Sequence, residues 1–427
     1  MAHKPETQAL HAGYRSDPAT GAVAVPIYQT TSYQFNDAEH ASNLFALKEL
    51  GNIYTRIMNP TTDVLEQRLA AMEGGVAALA VASGQAASLY TIQNIARAGD
   101  NFVASTHIYG GTWNLFNVTA RDMGIEVRFV DPKDPESFRN ATDDKTRAYY
   151  AETLPNPKLE VFPISEVAEI GNEFGVPLIM DNTAAPMICR PFDHGAAITM
   201  YSTTKYLGGH GTSIGGVIID SGKFDWEKHK ERFPLLTRPD PGYHGAVWLE
   251  AAKPLGPIAY ILKARVTLLR DAGAAMSPFN AFLFLQGVET VALRMRQHCE
   301  NANKVATYLA GHEKVTKVIH PSQQDGEARR RADHYLSGGY GGLMGMELEG
   351  GKEAGLRFID SLKMLYHVAN IGDARSLAIH PASTTHSQLS EEELLQAGAP
   401  PGYVRLSIGI EHVDDIIEDI DQALAKV

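Results

Sequence analysis

The residues best suited to chemistry follow four short apolar runs, each with the composition of a β-strand. Lys205 lies between hydroxyl side chains and a run of glycines, whereas an ordinary lysine is a solvated surface charge. Asp181 follows an apolar run, where a carboxylate stays charged only if it is paired or hydrogen-bonded. Asn156 lies between two prolines, and Gly84 and Gln85 begin a predicted helix. The segments are Ser83–Ser88, Glu152–Pro157, Asp181–Thr183 and Ser202–Gly211.

Each of these features also has an ordinary structural interpretation. Asp181 could cap the next helix, Asn156 could be a turn residue, and Gly84 could simply start a helix. Together, however, they meet the needs of pyridoxal 5'-phosphate (PLP). That cofactor requires a lysine for a Schiff base, a carboxylate for the pyridinium nitrogen, a phosphate-binding turn and a polar group near the ring hydroxyl. The sequence therefore predicts a PLP site in which Lys205 is both the attachment point and the mobile base.

Strand and helix patterns alternate through the region that contains these segments. This alternation predicts an α/β fold with a mostly parallel, doubly wound sheet. Ligands of such sheets bind beyond the carboxyl ends of the strands, which is where the candidate residues lie. The predicted strands are Ala77–Ala82, Asn101–Ala104, Glu126–Val130, Arg147–Ala151, Pro177–Met180, Ile198–Tyr201 and Gly216–Ile219.

The chain of 427 residues divides into three predicted parts. Residues 1–62 are rich in turns and cannot bury a core alone, so we expect an arm that packs on a neighbouring subunit. Residues 63–293 form the predicted cofactor domain, which begins with a helix capped by Asp63. Residues 294–427 mix strands and amphipathic helices, which predicts a smaller α+β domain.

Composition excludes several other classes of protein. A formal net charge of −12 without a basic run argues against nucleic-acid binding. The two cysteines, Cys189 and Cys299, form no disulfide framework or zinc motif and suit a reducing compartment. His210, His380 and His386 match no metal-ligand motif, so we expect structural histidines and no metal. The sequence has neither a signal-peptide core nor a membrane-spanning apolar run, which predicts a cytoplasmic protein.

Several long motifs are typical of a known family. These motifs are Thr7–Gly13, Val25–Thr31, Tyr54–Thr61 and Ser202–Tyr206. With them, the chain resembles the cysteine/methionine-metabolism family of PLP enzymes from Glu6 to its last helix, and most closely the O-acetylhomoserine sulfhydrylase branch. The resemblance implies the PLP-dependent transferase fold of type I, with a large doubly wound domain and a smaller α+β domain.

The resemblance also implies roles for individual residues. Tyr109 resembles the tyrosine that stacks on the cofactor ring and assists proton transfer. Tyr54 and Arg56 resemble the pair that reaches the phosphate in a neighbouring subunit. Arg405 resembles the arginine that binds the substrate α-carboxylate, with Ser376 beside it. The other implied cofactor contacts are Lys205, Asp181 at the pyridinium nitrogen, Asn156 near the ring oxygen and substrate, and Gly84, Gln85, Ser202 and Thr204 around the phosphate.

Further features distinguish the branches of the family. Gly111 stands where methionine γ-lyases carry cysteine, and Arg375 stands where cystathionine-cleaving lyases often carry an acid, so Arg375 is also expected to influence substrate binding. Segments 42–50, 228–255 and 382–389 resemble the sulfhydrylase branch.

These features favour a homo-oligomeric enzyme, expected to be a tetramer, that makes L-homocysteine and acetate from O-acetyl-L-homoserine and sulfide. A cystathionine γ-synthase or γ-lyase of the same family is the alternative. The sequence leaves open a succinyl donor and a thiol or carrier-bound sulfur. A dinucleotide-dependent oxidoreductase is disfavoured because no Gly-x-Gly-x-x-Gly follows a predicted strand.

Overall fold

The computed structural model of the protein describes residues 3–385, 387 and 390–427. The first strands of the described chain are β1 (Ala77–Val81), β2 (Asn101–Ser105), β3 (Glu126–Val130), β4 (Thr146–Glu152), β5 (Leu178–Asp181), β6 (Ile198–Tyr201) and β7 (Gly216–Asp220). They form one sheet in the order β1-β7-β6-β5-β4-β2-β3. β7 runs antiparallel to both of its neighbours, and the remaining pairs are parallel. The predicted mostly parallel sheet is confirmed.

Helices cover both faces of this sheet. The helices of this part of the chain are α1 (Pro5–His11), α2 (Ala38–Phe45), α3 (Pro60–Glu73), α4 (Gly84–Gln93), α5 (Gly110–Asn114), α6 (Glu136–Asn140), α7 (Ile164–Phe174), α8 (Pro234–Thr237), α9 (Trp248–Ala252), α10 (Ala259–Ala264), α11 (Arg270–Ala272) and α12 (Pro278–Glu289). Successive strand residues point to opposite faces, so Tyr149 of β4 packs with Val167 of α7, whereas Tyr150 packs in the cluster that contains Tyr260 of α10. Burial on both faces explains why the strands read as continuous apolar runs.

A second, smaller sheet follows in the chain. Its strands are β8 (Val315–Ile319), β9 (Leu343–Leu348), β10 (Tyr366–His367), β11 (Leu377–Ile379) and β12 (Tyr403–Ser407), in the order β10-β11-β12-β9-β8. The helices of this part are α13 (Val291–Ala310), α14 (Gly326–Tyr335), α15 (Gly351–Ser361), α16 (Glu391–Ala397) and α17 (Val413–Leu424). Val404 and Leu406 of β12, Phe358 of α15 and Ile420 of α17 share a separate apolar cluster.

The large-sheet strands confirm the predicted ones to within one residue at each end. The predicted cap of α3 is wrong, because the Oδ1 atom of Asn59 accepts the N–H of Thr61 at 3.0 Å and Pro60 occupies the first turn. Asp63 lies one turn further on. The predicted domain boundary at 293/294 falls inside α13, which runs without a break from Val291 to Ala310.

Among the described residues, no helix combines the length and apolar character needed to cross a membrane.

Candidate active site

A cavity of about 300 Å³ opens at the carboxyl ends of β4, β5 and β6 and beside the start of α4. This is the edge at which the parallel-sheet rule places a ligand. The volume lies at the small end of the range for small-molecule sites. Nine predicted residues line it, namely Gly84, Gln85, Tyr109, Asn156, Asp181, Ser202, Thr204, Lys205 and Arg405.

Lys205 reaches into this cavity from the turn that follows β6. Its Nζ donates to the Oδ1 atom of Asn370 at 2.6 Å, which ties the lysine to the connection between β10 and β11. Burial lowers the pKa of Lys205 to about 8, and repulsion from the nearby Arg405 acts in the same direction. The amine is therefore partly neutral near neutral pH, as a nucleophile or base must be.

Two carboxyl groups stand side by side in the cavity wall. Glu152 at the end of β4 is in register with Asp181 at the end of β5. Burial raises the pKa of Asp181 to about 6, opposed by hydrogen bonds from Thr183, whose N–H donates to Oδ1 at 2.9 Å. Burial, followed by the charge of Asp181, holds the pKa of Glu152 well above its usual range. Neighbouring carboxylates cannot both ionise cheaply, so Glu152 keeps its proton when Asp181 is charged.

The start of α4 forms a turn that can bind an anion. The Ser83 hydroxyl accepts the N–H of Ala86 at 3.1 Å and so caps the helix. A Cβ atom on Gly84 would lie 2.6 Å from the Cβ of Ser202, so only glycine allows α4 to approach this closely. The first N–H groups of a helix lack acceptors within it, which leaves them available to a phosphate beside the hydroxyls of Ser202 and Thr204.

Glu152 also organises two neighbouring loops. The backbone N–H of Tyr109 donates to the Oε1 atom of Glu152 at 2.5 Å, and the backbone N–H of Asn156 donates to the same carboxyl group. Tyr109 is 52% exposed, so its ring stands at the mouth of the cavity rather than in the core. One buried side chain thus fixes the main chain at both Tyr109 and Asn156.

Arg405 brings the small sheet into the site. It lies on β12, and an Nη2 hydrogen bond of 2.9 Å joins it to the carbonyl oxygen of Asn370. Burial lowers the pKa of Arg405, although an arginine remains charged in any case. Asn370 therefore contacts both cationic side chains, Lys205 through its amide oxygen and Arg405 through its main chain.

Tyr54 and Arg56 lie outside the lining of the cavity. The guanidinium carbon of Arg56 is 5.5 Å from the ring centroid of Tyr54, and both side chains are exposed. Their service to a neighbouring subunit stays a prediction.

Arg375 and Ser376 also lie outside the lining of the cavity. Nε of Arg375 is 2.9 Å from Oδ1 of Asp373, and its Nη2 donates to the carbonyl of His210 at 3.2 Å. The hydroxyl of Ser376 donates to Oε2 of Glu411 at 2.9 Å, and Ser376 is buried. The positive charge of Arg375 is offset by its own ion pair, so the geometry lends no support to a direct effect on substrate charge.

His380 makes hydrogen bonds of a structural kind. Nε2 of His380 lies 2.7 Å from the carbonyl oxygen of Pro401, which agrees with the structural interpretation. The part of the chain that the structure describes holds no group of three or more His, Cys, Asp or Glu arranged for a metal. His386, and with it Gln388 and Leu389 of the segment 382–389, lies outside the described residues.

The residues present fit PLP. One cavity holds a partly neutral amine, a buried carboxylate and a helix start at which only glycine fits. Sequence reasoning missed Glu152 and Asn370 as site residues. Glu152 followed a predicted strand and could have been chosen on that ground, whereas Asn370 carried no motif signal because a distant sheet brings it to the site.

Comparisons with known proteins agree with this geometry. The model of the family described as Cys/Met metabolism PLP-dependent enzyme matches residues 6–425. An O-acetyl-L-homoserine sulfhydrylase of Leptospira meyeri is 54% identical, with 99% of this chain and 97% of the relative covered. O-acetyl-L-homoserine sulfhydrylase 1 of Thermus thermophilus is 51% identical, with 98% of this chain and 99% of the relative covered.

A solved structure is similar as well. It is a Campylobacter jejuni protein described as an O-acetylhomoserine (thiol)-lyase, with N'-pyridoxyl-lysine-5'-monophosphate at its position 205. The two chains are 41% identical and superpose with a TM-score of 0.95, covering 99% of this chain and all of that one (100%). This likeness confirms the predicted PLP-dependent transferase fold of type I. The chain therefore belongs to the Cys/Met metabolism family of PLP-dependent enzymes.

Proposed function

We propose that the protein makes L-homocysteine and acetate from O-acetyl-L-homoserine and sulfide, a step of methionine biosynthesis by direct sulfhydrylation. One observation carries the proposal. Lys205, Asp181 and Arg405 converge on a single cavity in a chain that is 54% identical, over nearly its whole length, to a sulfhydrylase of that substrate. The relative from Thermus thermophilus, at 51% identity, bears the same name.

The cavity supplies a place for each part of PLP. Lys205 would hold the cofactor covalently, Asp181 would bind its ring nitrogen and the start of α4 would bind its phosphate. Asn156 would lie near the ring oxygen. When bound, PLP supplies an electron sink that stabilises negative charge on carbon atoms of the substrate.

Lys205 is the group that moves protons at the substrate. An amine with a pKa of about 8 can take a proton from Cα and later return one, because both its forms are populated near neutral pH. Removal of a further proton at Cβ lets acetate leave Cγ, hydrosulfide then adds there, and protons return to Cβ and to Cα before the product leaves. Tyr109 stands at the mouth of the cavity and assists proton transfer there.

Arg405 and Asn156 hold the substrate carboxylate. One N–H of Arg405 donates to the carbonyl of Asn370, and the other N–H groups of its guanidinium remain available to bind a carboxylate. Because Asn370 also contacts Lys205, the carboxylate-binding group and the base are both positioned by one loop. Such pre-organisation lowers the entropic part of the barrier.

Glu152 is a positioning residue in this account. In its neutral form it can accept the N–H of Tyr109 without adding a second negative charge beside Asp181. The charge that faces the cofactor ring then comes from Asp181 alone.

The arm and the assembly form a separate part of the proposal. Residues 1–62 would pack on a neighbouring subunit, residues 63–293 would hold the cofactor and residues 294–427 would form the small domain. Exposed apolar side chains in the arm, such as Val23 at 83% exposure, support at least a dimer, and we expect a tetramer built as a dimer of dimers. Buried free cysteines, Cys189 and Cys299, suit a cytoplasmic location.

Mixed dimers test whether Arg56 serves the other subunit. Arg56→Ala and Lys205→Ala should each inactivate their own homodimer. A mixed dimer can carry both lesions in one site and leave the other site whole, so co-refolding should restore part of the activity. An inactive mixture in which mixed dimers are demonstrated would place Arg56 in its own subunit's site or outside catalysis.

A donor-by-nucleophile panel tests the reaction itself. We expect kcat/KM to be highest for O-acetyl-L-homoserine with sulfide, above O-succinyl-L-homoserine, L-cystathionine and L-methionine. A preference for L-cysteine over sulfide would identify a cystathionine synthase instead, and release of sulfur from L-cystathionine or L-methionine would identify a γ-lyase. Arg375→Glu should leave the ranking unchanged, because Arg375 lies outside the lining of the catalytic cavity. A switch toward L-cysteine or L-cystathionine in that variant would restore the charge-based explanation.

A further inference from the structure

We propose that a second cavity, at the amino-terminal end of the large sheet, binds a small organic anion. The cavity has a volume of about 510 Å³ and is bounded by the end of α4, the segments that precede β2 and β3, and the chain around α8 and α10. The catalytic cavity lies at the opposite edge of the same sheet, at the carboxyl ends of β4, β5 and β6. α4 begins at the catalytic cavity and ends at this one, a span of about 15 Å for its ten residues.

The cavity concentrates positive charge on a chain whose formal net charge is −12. Arg97, Arg238 and Lys263 line it, against a single acidic lining residue of the described chain, Asp240. Asp240 accepts the N–H of Gly242 at 2.8 Å and Trp248 Nε1 at 2.9 Å, and its single charge offsets one of the three cations. Three cations against one carboxylate leave an excess of positive charge, which favours a ligand with negative charge.

Lys263 is the most deeply buried of the three cations. It is 6% exposed, and its hydrogen-bond partner among the described residues is the Oδ1 atom of Asn94, at 3.2 Å. An ammonium group has three donors, and a buried charge is costly unless it is paired. Burial lowers the pKa of Lys263 to about 8, with Asp240 acting in the opposite direction. An anion in the cavity would pair the charge and supply acceptors.

The remaining walls favour an apolar body on the ligand. Met123, Ile125 and Leu235 contribute hydrocarbon surface to the lining. The residues that follow Lys263, Arg265–Leu269, form a π-helical turn, and Leu268 within it also lines the cavity. Such turns cost helical regularity and are frequent at functional sites. The chemistry that fits is a carboxylate or phosphate monoester on a short alkyl chain.

Binding to the holoenzyme tests the proposal without reference to turnover. Hexanoate and hexyl phosphate are titrated by calorimetry, with hexan-1-ol and hexylamine as probes of the same chain length and different charge. The two anions distinguish a carboxylate from a phosphate ligand. The measurements are repeated in an Arg405→Ala background, because the catalytic cavity also offers a cation to carboxylates.

The expected result is that at least one anion binds both the wild-type holoenzyme and Arg405→Ala. Lys263→Met and Arg238→Met should each weaken that binding by about tenfold or more, the value of a charge-assisted hydrogen bond. Lys145→Met, which removes an exposed lysine elsewhere on the chain, should bind as the wild type does. Melting temperatures of the variants confirm that each is folded.

Four outcomes would overturn the proposal. Neither anion binds, hexan-1-ol binds as tightly as the anions, Lys263→Met binds as tightly as the wild type, or binding disappears in Arg405→Ala. The last outcome would place the anion in the catalytic cavity. None of these outcomes bears on the reaction proposed above, which is tested by its own substrates.

Discussion

Two lysines are withdrawn from solvent in two cavities at opposite ends of one sheet, Lys205 where the strands end and Lys263 where they begin. Burial lowers the pKa of each to about 8. Lys205 shares its cavity with the carboxyl groups of Asp181 and Glu152 and with Arg405. Lys263 instead donates to the amide of Asn94 and shares its cavity with two arginines and one carboxylate, Asp240.

The comparison shows that a depressed lysine pKa does not by itself identify a catalytic lysine. A perturbed pKa marks a candidate site, and its neighbours decide the chemistry. At the carboxyl ends of the strands, Lys205 has a carboxylate for a ring nitrogen and a helix start for a phosphate within the same cavity. Lys263 has excess positive charge around it, which suits binding rather than catalysis.

Removing each lysine gives the largest expected contrast. Lys205→Ala should lower kcat by more than about 10⁴-fold, because it removes the covalent attachment point together with a base worth about 10²–10⁴-fold. Lys263→Met should cost no more than about tenfold, since it touches no reacting atom. Steady-state kinetics with O-acetyl-L-homoserine and sulfide measure both, with Lys145→Met as the matched control. Comparable losses in the two variants would contradict the assignment.

Asp181→Asn should give the next largest effect. The amide keeps the shape of the carboxyl group but not its charge, and we expect kcat to fall by about 10²-fold or more. The variant should also absorb light differently when PLP is bound, because the protonation of the ring changes. Activity close to that of the wild type would reduce Asp181 to a structural residue of the turn after β5.

Two substitutions of Glu152 test whether its carboxyl group is neutral or charged. Glu152→Gln keeps an acceptor for the N–H of Tyr109 and should retain kcat within about threefold, whereas Glu152→Ala leaves that donor unpaired and should lose about tenfold or more. Infrared difference spectra between the wild type and Glu152→Gln should contain the band of a protonated carboxylic acid. Equal damage by both substitutions, without that band, would mean that Glu152 works as an anion.

Lys263→Met should also change the pH dependence of stability, which is the smallest effect. The pKa of Lys263 is about 8 in the folded protein against 10.5 as its ordinary value, so folding opposes its charged form. Below pH 8 the charge of Lys263 lowers the free energy of unfolding of the wild type, and this loss shrinks as the pH rises toward 10.5. Lys263→Met should therefore raise the free energy of unfolding by about 1–3 kcal/mol near pH 7, and less at pH 10. Thermal scans at both pH values measure the difference, and a gain that grows with pH would contradict this sign.

Much of the catalytic cavity was predictable because parallel strands end at the same edge of a sheet. Each of Gly84, Asn156, Asp181 and Lys205 follows an apolar run, so the alternating pattern alone places them close together. The motifs typical of the family then add Arg405 from the small sheet.

The rest depended on contacts that no local pattern shows. Asn370 reaches Lys205 because the small sheet packs against the turn after β6. The register of β4 with β5 sets Glu152 beside Asp181. Lys263 is a single lysine in an apolar helical stretch, and the contact of its ammonium group with Asn94 at the end of α4 is a long-range one. Register and long-range packing decided these positions.

Borohydride reduction of the holoenzyme tests the central claim most directly. The reagent fixes PLP on the lysine that holds it, and peptide mapping then identifies that lysine. We expect the pyridoxyl label on the peptide that contains Lys205, no label on the peptide that contains Lys263, and no label in Lys205→Ala. A label on Lys263, or on any lysine in place of Lys205, would contradict the account.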